Sequence, residues 1–378
     1  MQTTRFVNLG YQLGLIGFIR LSNILRLSHY AIAVHPRYLL RLLLVINSSS
    51  IGLPLRLWEQ LVYGRKIVGT QIENPPIFII GHWRSGTTHL HNLMTQDTNF
   101  GYLSMYQSIV PDCSLVGRNW LKQLLAKIMP IKRPMDNVIW PLDSPQEEEI
   151  ALCKTMTTSF YTHFLFPSKT RSLFRKYVLM EGASSKIIAE FKRKYYRLLQ
   201  VATIHAQGKQ LILKNPVNTA RIGLLLELFP DAKFIQIYRS PYDVFSSAQN
   251  LHQTLTPITT LQTLDYNRAE ETILILYEQM MQQYLKERSL IPTGNLVEVR
   301  FENLEQNPLQ EMQKIYEGLN LPNYDEAESV FKAYITAQKN YQKNQLQLSA
   351  EAQQKIEQRW QFAFSSFGYS LYSCSNPK

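Results

Sequence analysis

Residues 81–88 of this sequence have the glycine spacing of a loop that binds phosphate. They read GHWRSGTT and follow the apolar run IFII of residues 77–80, which is typical of a strand buried on both faces. Glycines let backbone N–H groups turn inward around an anion, and the first turn of a following helix adds positive potential. The spacing therefore predicts a phosphate loop, residues 81–88, between a strand and a helix.

The cation of the phosphate loop argues against triphosphate chemistry. Loops that hydrolyse ATP carry Lys directly after the second glycine, whereas this sequence has Thr87 there and places its cation earlier, at Arg84. No obvious metal-holding acid accompanies the loop, so we expect no bound metal. Backbone N–H groups, the Thr87 and Thr88 hydroxyls and the Arg84 guanidinium suit a single phosphate group. A P-loop kinase or nucleotide triphosphatase is the alternative enzyme class.

A second candidate phosphate contact follows another apolar run. Residues 233–238 read KFIQIY and predict a strand, and Arg239 comes directly after it. Ser247 lies eight residues further on, about two turns into the helix that Pro241 opens. An arginine and a hydroxyl in this relation can bind a second phosphate. Asp243, in the first turn of the helix, is explained by the helix dipole.

The elements that must position these residues alternate between strand and helix. Further strands are predicted at 210–214 and 296–301, with Asn218 as the N-cap of the helix that follows the first of them. Helices are predicted at 116–128, 146–165, 183–206 and 268–287. This alternation favours an α/β fold of the P-loop type, with a central parallel sheet and helices on both faces. Ligands of such sheets bind beyond the carboxyl ends of the strands.

The first 70 residues differ from the rest in charge. They contain eight Lys or Arg and one acid, Glu59, so they carry +7 of the net charge of +11. We therefore divide the chain into a basic helical extension, residues 1–74, and an α/β domain, residues 75–378. The apolar runs of the extension are shorter than the roughly 18–20 residues that span a bilayer. Packing on the domain and contact with a membrane surface through residues 1–70 both stay open.

Composition limits the cellular setting and the partners. Three scattered cysteines indicate a reducing compartment, and the sequence begins without the pattern of a secretory signal. We expect a cytoplasmic protein, and a peripheral position at the membrane stays open. The basic residues form no recognised nucleic-acid module, so no nucleic-acid partner is expected. The alternative to an enzyme is a non-catalytic peripheral membrane protein.

Three segments together resemble the sulfotransferases that use 3′-phosphoadenosine-5′-phosphosulfate (PAPS) as sulfuryl donor. They are residues 81–88, 211–216 and 234–247, and with residues 144–149 and 297–304 the pattern is similar to the bacterial branch and the tyrosylprotein sulfotransferases. The resemblance implies a transferase that moves a sulfuryl group from PAPS to a hydroxyl or amine of a small molecule, sugar or lipid. 3′,5′-Adenosine bisphosphate would be its second product.

The resemblance also assigns binding residues. It implies that the 5′-phosphosulfate is bound by part of the phosphate loop: Arg84, Ser85, Gly86, Thr87 and Thr88. It implies that Arg239 and Ser247 bind the 3′-phosphate and that Lys214 lies near the transferred group. Lys343 and Asn344 are the candidates for a basic segment that closes over the nucleotide.

The residue that accepts the proton stays open between two groups. Cytosolic members of the family carry Lys-Thr-His where this chain has KNP at residues 214–216, so the usual histidine is replaced by proline. One candidate is the acidic cluster of residues 147–149, in which mutual repulsion raises at least one pKa. The other is a histidine of the loop region, namely His82, His89 or His91. The expected catalytic residues are Glu147, Glu149, Lys214 and Arg84, although a capping box with Ser144 explains Glu147 equally well.

Overall fold

Five short parallel strands form the sheet at the centre of the fold. They are β1 (Ile77–Ile80), β2 (Phe100–Gly101), β3 (Gln210–Lys214), β4 (Lys233–Tyr238) and β5 (Leu296–Arg300). Their order across the sheet is β2-β3-β1-β4-β5, so β1 and the phosphate loop lie at its middle. The computed structural model describes residues 2–27, 34–130, 132, 139–263, 267–338 and 348–371.

Helices precede the sheet, connect its strands and follow it. Those before β3 are α1 (Gln2–Ile16), α2 (Leu21–Arg26), α3 (Leu39–Gly69), α4 (Thr87–Met94), α5 (Met105–Ile109), α6 (Trp120–Ile128), α7 (Glu148–Thr155), α8 (Thr170–Tyr177) and α9 (Ser185–His205). Those after β3 are α10 (Ile222–Leu228), α11 (Pro241–Thr259), α12 (Asn267–Glu287), α13 (Phe301–Gln306), α14 (Pro308–Gly318), α15 (Tyr324–Ala337), α16 (Ala350–Arg359) and α17 (Gln361–Phe367). Short 3₁₀ turns occur at Pro36–Tyr38, Phe160–Phe164, Pro167–Lys169, Pro216–Ala220 and Arg288–Leu290.

Strand β1 buries both of its faces, as its unbroken apolar run predicts. Phe78 and Ile80 of β1 pack in a core shared with α9–α12, α16 and α17. Ile77 and Ile79, which alternate with them, face a second core built with α4 and α13–α15. The predicted α/β fold, a parallel sheet between two helical layers with a helical extension in front, is confirmed.

The extension packs against the α/β domain through one side. Tyr11 and Leu15 of α1 and Val45 of α3 enter a third core, which α5–α8, α11 and α12 complete. A partly buried ion pair strengthens the contact. The Arg20 guanidinium bonds both carboxylate oxygens of Asp112 at 2.6 and 2.7 Å. The extension is thus part of the packed molecule, and the predicted division between residues 74 and 75 stays a prediction.

Several local predictions were wrong because side chains found partners outside their own helix. Residues 146–165 contain the helix α7 and a 3₁₀ turn instead of one helix. The Ser144 hydroxyl bonds the Pro141 carbonyl oxygen at 2.6 Å, and Glu147 is the N-cap of α7, so the predicted capping box is absent. Asn218 lies in a 3₁₀ turn, and its buried amide donates to Glu148 instead of capping α10.

Candidate active site

The phosphate loop has a backbone that only glycine adopts readily at two positions. Gly81 has φ +146°, and a Cβ there would lie 2.3 Å from the carbonyl oxygen of Ile237. Gly86 has φ +102°, and its Cβ would lie 2.2 Å from the Phe301 ring. The loop therefore stays close to its neighbours and leaves a backbone-lined cradle at the start of α4.

The side chains of the loop divide into internal and cavity-facing groups. Ser85 is buried, and its hydroxyl donates to the carbonyl oxygen of His82 at 2.7 Å, so it closes the turn. Arg84, Thr87 and Thr88 line a cavity next to the loop. Two hydroxyls, a guanidinium and a helix N-terminus are suited to a phosphate or sulfate group. The cradle thus fits the 5′ end of the donor that the family resemblance implies.

Arg84 connects the two predicted phosphate motifs. Its Nε donates to the Ser247 hydroxyl at 2.8 Å, across 163 residues of sequence. Arg239 lies with its guanidinium carbon 4.7 Å from the centre of the Phe301 ring and donates to Asp243 from Nη2 at 3.1 Å. Because Phe301 also contacts Gly86, it joins the phosphate loop to the end of β4. The two motifs therefore lie side by side.

Lys214 and Glu147 form an ion pair next to the loop. The Lys214 side chain is 1% exposed, and its ammonium donates to Glu147 Oε1 at 2.5 Å and lies 3.4 Å from the Thr88 hydroxyl. The other Glu147 oxygen accepts a hydrogen bond from the Tyr161 hydroxyl, to which Trp83 Nε1 donates at 2.9 Å. Glu147, Thr88 and Trp83 all line the cavity. Tyr161 and Trp83 were not among the predicted site residues, since no spacing relates either residue to Glu147.

Glu149 is placed differently from the sequence-based expectation. Its carboxylate is fully buried, accepts from Arg221 Nη1 at 2.8 Å and from the Ser159 hydroxyl at 2.7 Å, and does not line the cavity. Burial alone would raise its pKa, but Arg221 and the hydrogen bonds together hold that pKa below its ordinary value. Glu149 also accepts the backbone N–H of Phe160 at 3.0 Å. It therefore fixes the 3₁₀ turn behind the site, and its expected part in the chemistry stays a prediction.

Glu148 is the member of the acidic cluster with the raised pKa. Burial raises the pKa of Glu148 to about 8, and the neighbouring Glu147 adds to the rise. Its oxygens accept from the backbone N–H of Lys214 at 3.0 Å, from the Tyr195 hydroxyl at 3.2 Å and from the Asn218 amide at 3.3 Å. The raised pKa favours the protonated form of Glu148, and its hydrogen bonds tie α7 to the end of β3.

The three histidines near the loop occupy different environments. His82 lines the cavity, and burial lowers its pKa to about 4. Its Nδ1 lies 2.8 Å from the Trp83 carbonyl oxygen. His91 is fully buried against β3, and burial lowers its pKa to about 3. The ring of His89 faces the edge of Phe301. Of these three, only His82 reaches the cavity.

The cavity has a volume of about 460 Å³ and a mainly apolar wall. Aromatic side chains from separate parts of the sequence form much of it: Tyr11, Trp83, Trp140, Phe160, Tyr161 and Phe164. Polar groups gather at the phosphate loop and around Arg171, whose Nε lies 3.1 Å from the Thr272 hydroxyl. The wall thus suits an apolar molecule whose reactive group points at Glu147.

Two expectations concern groups outside these contacts. Lys343 and Asn344 lie outside the described residues, so their expected position over the nucleotide stays a prediction. Within the described parts of the chain, no group of three or more His, Cys, Asp or Glu side chains could hold a metal ion.

Comparison with known families places this site in a known class of enzyme. Residues 75–326 match the sulfotransferase family, and the protein belongs to that family. It is an enzyme that transfers a sulfuryl group from a donor to an acceptor. This result confirms the resemblance found in the sequence and sets aside both the kinase or triphosphatase alternative and the non-catalytic one.

Individual relatives agree with this assignment. The chain is 30% identical over 325 residues to omega-hydroxy-beta-dihydromenaquinone-9 sulfotransferase Stf3 of Mycobacterium bovis and of Mycobacterium tuberculosis, which covers 86% of this chain and 83% of each relative. The fold is similar to the crystal structure of sulfotransferase STF9 from Mycobacterium avium, with a TM-score of 0.64, 20% identity and coverage of 84% and 82%. The fold is also similar to the crystal structure of sulfotransferase STF1 from Mycobacterium tuberculosis. The TM-score is 0.63 and the identity 18%, and the match covers 93% of this chain and 92% of that one.

The raised pKa of Glu148 predicts a pH-dependent contribution to stability. A carboxyl whose folded pKa lies above its unfolded value stabilises the protein at low pH, and this stability is lost as pH rises toward the folded pKa. We expect the unfolding free energy of the wild type minus that of Glu148→Gln to fall between about pH 5 and pH 8, by up to about 1.4 kcal/mol per pH unit. Urea unfolding of both proteins measures this difference. A difference that does not change with pH would contradict the assigned protonation of Glu148.

Proposed function

We propose that the sulfuryl donor is PAPS and that the acceptor is the hydroxyl of an apolar, lipid-like alcohol. The observation that carries the proposal is the position of Lys214, between the phosphate loop and the Glu147 carboxylate in the cavity wall. A cation there lies beside both the departing phosphate and the base. When bound, PAPS supplies an activated sulfuryl group on its 5′-phosphate.

The donor assignment is supported by the pairing of two phosphate motifs. Arg84, with Thr87 and Thr88, would hold the 5′ end in the glycine cradle, while Arg239 and Ser247 would hold the 3′-phosphate. The Arg84–Ser247 hydrogen bond brings the two motifs together. A nucleotide with phosphates on both its 5′ and its 3′ oxygen would use both motifs, whereas a linear triphosphate on the 5′ oxygen alone would not.

Glu147 is the proposed base. The S–O bond to the donor phosphate breaks while the acceptor oxygen forms the new S–O bond and gives its proton to Glu147. Lys214 and Arg84 would stabilise the charge that builds up on the sulfuryl group and the departing phosphate. Before the donor binds, Lys214 occupies one Glu147 oxygen. A phosphate in the loop competes for that ammonium and so frees the oxygen for the acceptor hydroxyl.

Tyr161 positions the proposed base. Its hydroxyl donates a hydrogen bond to the second Glu147 oxygen and accepts one from the indole N–H of Trp83. Glu149 holds the turn that carries Tyr161 by accepting the backbone N–H of Phe160. His82 is a weaker candidate for the base, since burial lowers its pKa to about 4. It would instead contact the donor or the acceptor in the cavity.

The acceptor class is supported by the cavity and by the curated relatives. An aromatic and aliphatic wall favours an apolar molecule over a sugar or a charged amine. The name of Stf3 gives its substrate as a hydroxylated dihydromenaquinone, and this chain spans 83% of that enzyme. We further propose that the protein works in the cytoplasm as a peripheral membrane protein, with residues 1–70 nearest the lipid.

Nucleotide preference tests the donor. 3′,5′-Adenosine bisphosphate at 100 times its dissociation constant should stabilise the wild type by about 2.7 kcal/mol, which raises the melting temperature. ATP at equal concentration should have a much smaller effect, because it cannot fill both phosphate motifs. Arg84→Ala should lose most of the shift and all turnover, while Arg175→Ala, an exposed arginine on α8, serves as the matched control. Stabilisation by ATP alone would contradict the donor assignment.

Replacement of the proposed base should separate chemistry from donor binding. We expect Glu147→Gln to lower kcat for sulfuryl transfer by about 10²–10⁴-fold, since a positioned base contributes about that much. The melting shift with 3′,5′-adenosine bisphosphate should persist. Glu181→Gln changes a partly exposed carboxylate that pairs with Arg175 and is the matched control. Wild-type kcat in the Glu147 variant would exclude Glu147 as the base.

A further inference from the structure

One side of α3 exposes an apolar band that runs from Leu39 to Val62. Its large side chains are 46–85% exposed, and they include Leu40, Leu43, Ile51, Leu57, Trp58 and Leu61. At 100° per residue they fall within about half of the helix circumference. Soluble monomers rarely expose continuous apolar surface of this extent, so the band calls for a partner.

The opposite side of α3 is fixed to the protein by its charged residues. Arg41 donates from Nη2 to the Pro257 carbonyl oxygen at 3.0 Å, and Arg56 donates from Nη2 to that of Phe18 at 2.6 Å. Glu59 is buried and accepts the backbone N–H of Leu115 at 2.8 Å. By length and composition alone, residues 36–69 could cross a membrane. Crossing would expose these charged groups to lipid, so α3 is suited to lie along a membrane.

The charge around the band selects the kind of surface that it fits. Exposed Arg37 precedes the band, and exposed Arg65 and Lys66 follow it. Glu59 is the single acid of residues 1–70 and points inward. Two copies of α3 would bring these cations together, antiparallel or parallel, and the one acid of residues 1–70 is buried. An anionic lipid surface offers both the apolar interior and the opposite charge.

We propose that α3 lies in the plane of an anionic membrane, with the apolar band buried among the lipids and the flanking cations at the headgroups. Trp58 would sit at the boundary between the two, where its ring is partly apolar and its N–H is polar. The surface therefore binds a bilayer from one side without spanning it.

The position of α3 connects this surface to the cavity, a link that rests on the proposed lipid-like acceptor. α1 packs against α3 and contributes Tyr11 and Leu15 to the cavity wall. Arg41 of α3 bonds the last turn of α11, whose Leu255 also lines the cavity. The elements beneath the membrane-facing helix are thus those that would contact the apolar part of the acceptor.

Flotation of the full chain with vesicles tests the surface. The wild type should float with vesicles of phosphatidylcholine and phosphatidylglycerol and much less with phosphatidylcholine alone. Replacing both Leu40 and Leu61 by Glu should reduce binding by about tenfold or more, since each leucine loses its burial in lipid. The paired change Leu290→Glu with Val330→Glu adds equal charge at exposed apolar positions elsewhere and should leave binding unchanged. Equal flotation of all three proteins, or none, would overturn the proposal.

Further measurements separate this surface from other occupants and from the proposed function. Dimeric wild type that becomes monomeric in the Leu40 and Leu61 variant would show a second copy on the band and overturn the proposal. Resistance to alkaline carbonate extraction would show a spanning helix and also overturn it. The variant should sulfate a short water-soluble alcohol normally and a long-chain alcohol in vesicles poorly. If the wild type floats with anionic vesicles but sulfates neither alcohol, the proposed acceptor class is refuted while the membrane-binding surface stays supported.

Discussion

The Lys214–Glu147 ion pair is the contact on which the arrangement of the site depends. It joins the end of β3 to the start of α7, and the two are bonded a second time through Glu148, which accepts the backbone N–H of Lys214. Three consecutive carboxyl groups at a buried position require compensation, since an unpaired buried charge costs several kcal/mol. Lys214 compensates the charge of Glu147, Arg221 compensates that of Glu149, and burial favours the protonated form of Glu148. This network holds the start of α7, and with it Glu147, in the wall of the cavity.

The fold and the phosphate loop could be predicted because short segments determine them. The run at residues 77–80 has no polar position, so it fits only a strand covered on both faces. The loop after it needs glycine at residues 81 and 86, where φ is positive and a Cβ would collide with a neighbour. Helix boundaries between 116 and 165 were predicted less well. That segment is rich in apolar residues without a clear period, and buried contacts such as that of Glu149 with Phe160 end the helix early. The helix propensities of single residues do not include such tertiary contacts, so the ends of these helices could not be predicted from them.

The roles within the acidic cluster could be predicted only in part. Positions 147 and 149 are two residues apart at the start of a helix, so their side chains point in different directions and at most one can face the acceptor. Which one does so depends on Arg221 and on Tyr161, and neither stands out in the sequence. Tyr161 also lies in a region that was predicted as helix. The exposed band of α3 was visible only as apolar runs, because exposure depends on which side of the helix the domain covers.

A crystal structure with 3′,5′-adenosine bisphosphate bound tests the central claim most directly. We expect the 5′-phosphate in the loop of residues 81–88 and the 3′-phosphate at Arg239 and Ser247. The Lys214 ammonium should turn from Glu147 toward the 5′-phosphate, so that the carboxylate faces the cavity. A nucleotide bound elsewhere would refute the proposed site, as would a Lys214 that keeps its pairing with Glu147 and makes no contact with the phosphate.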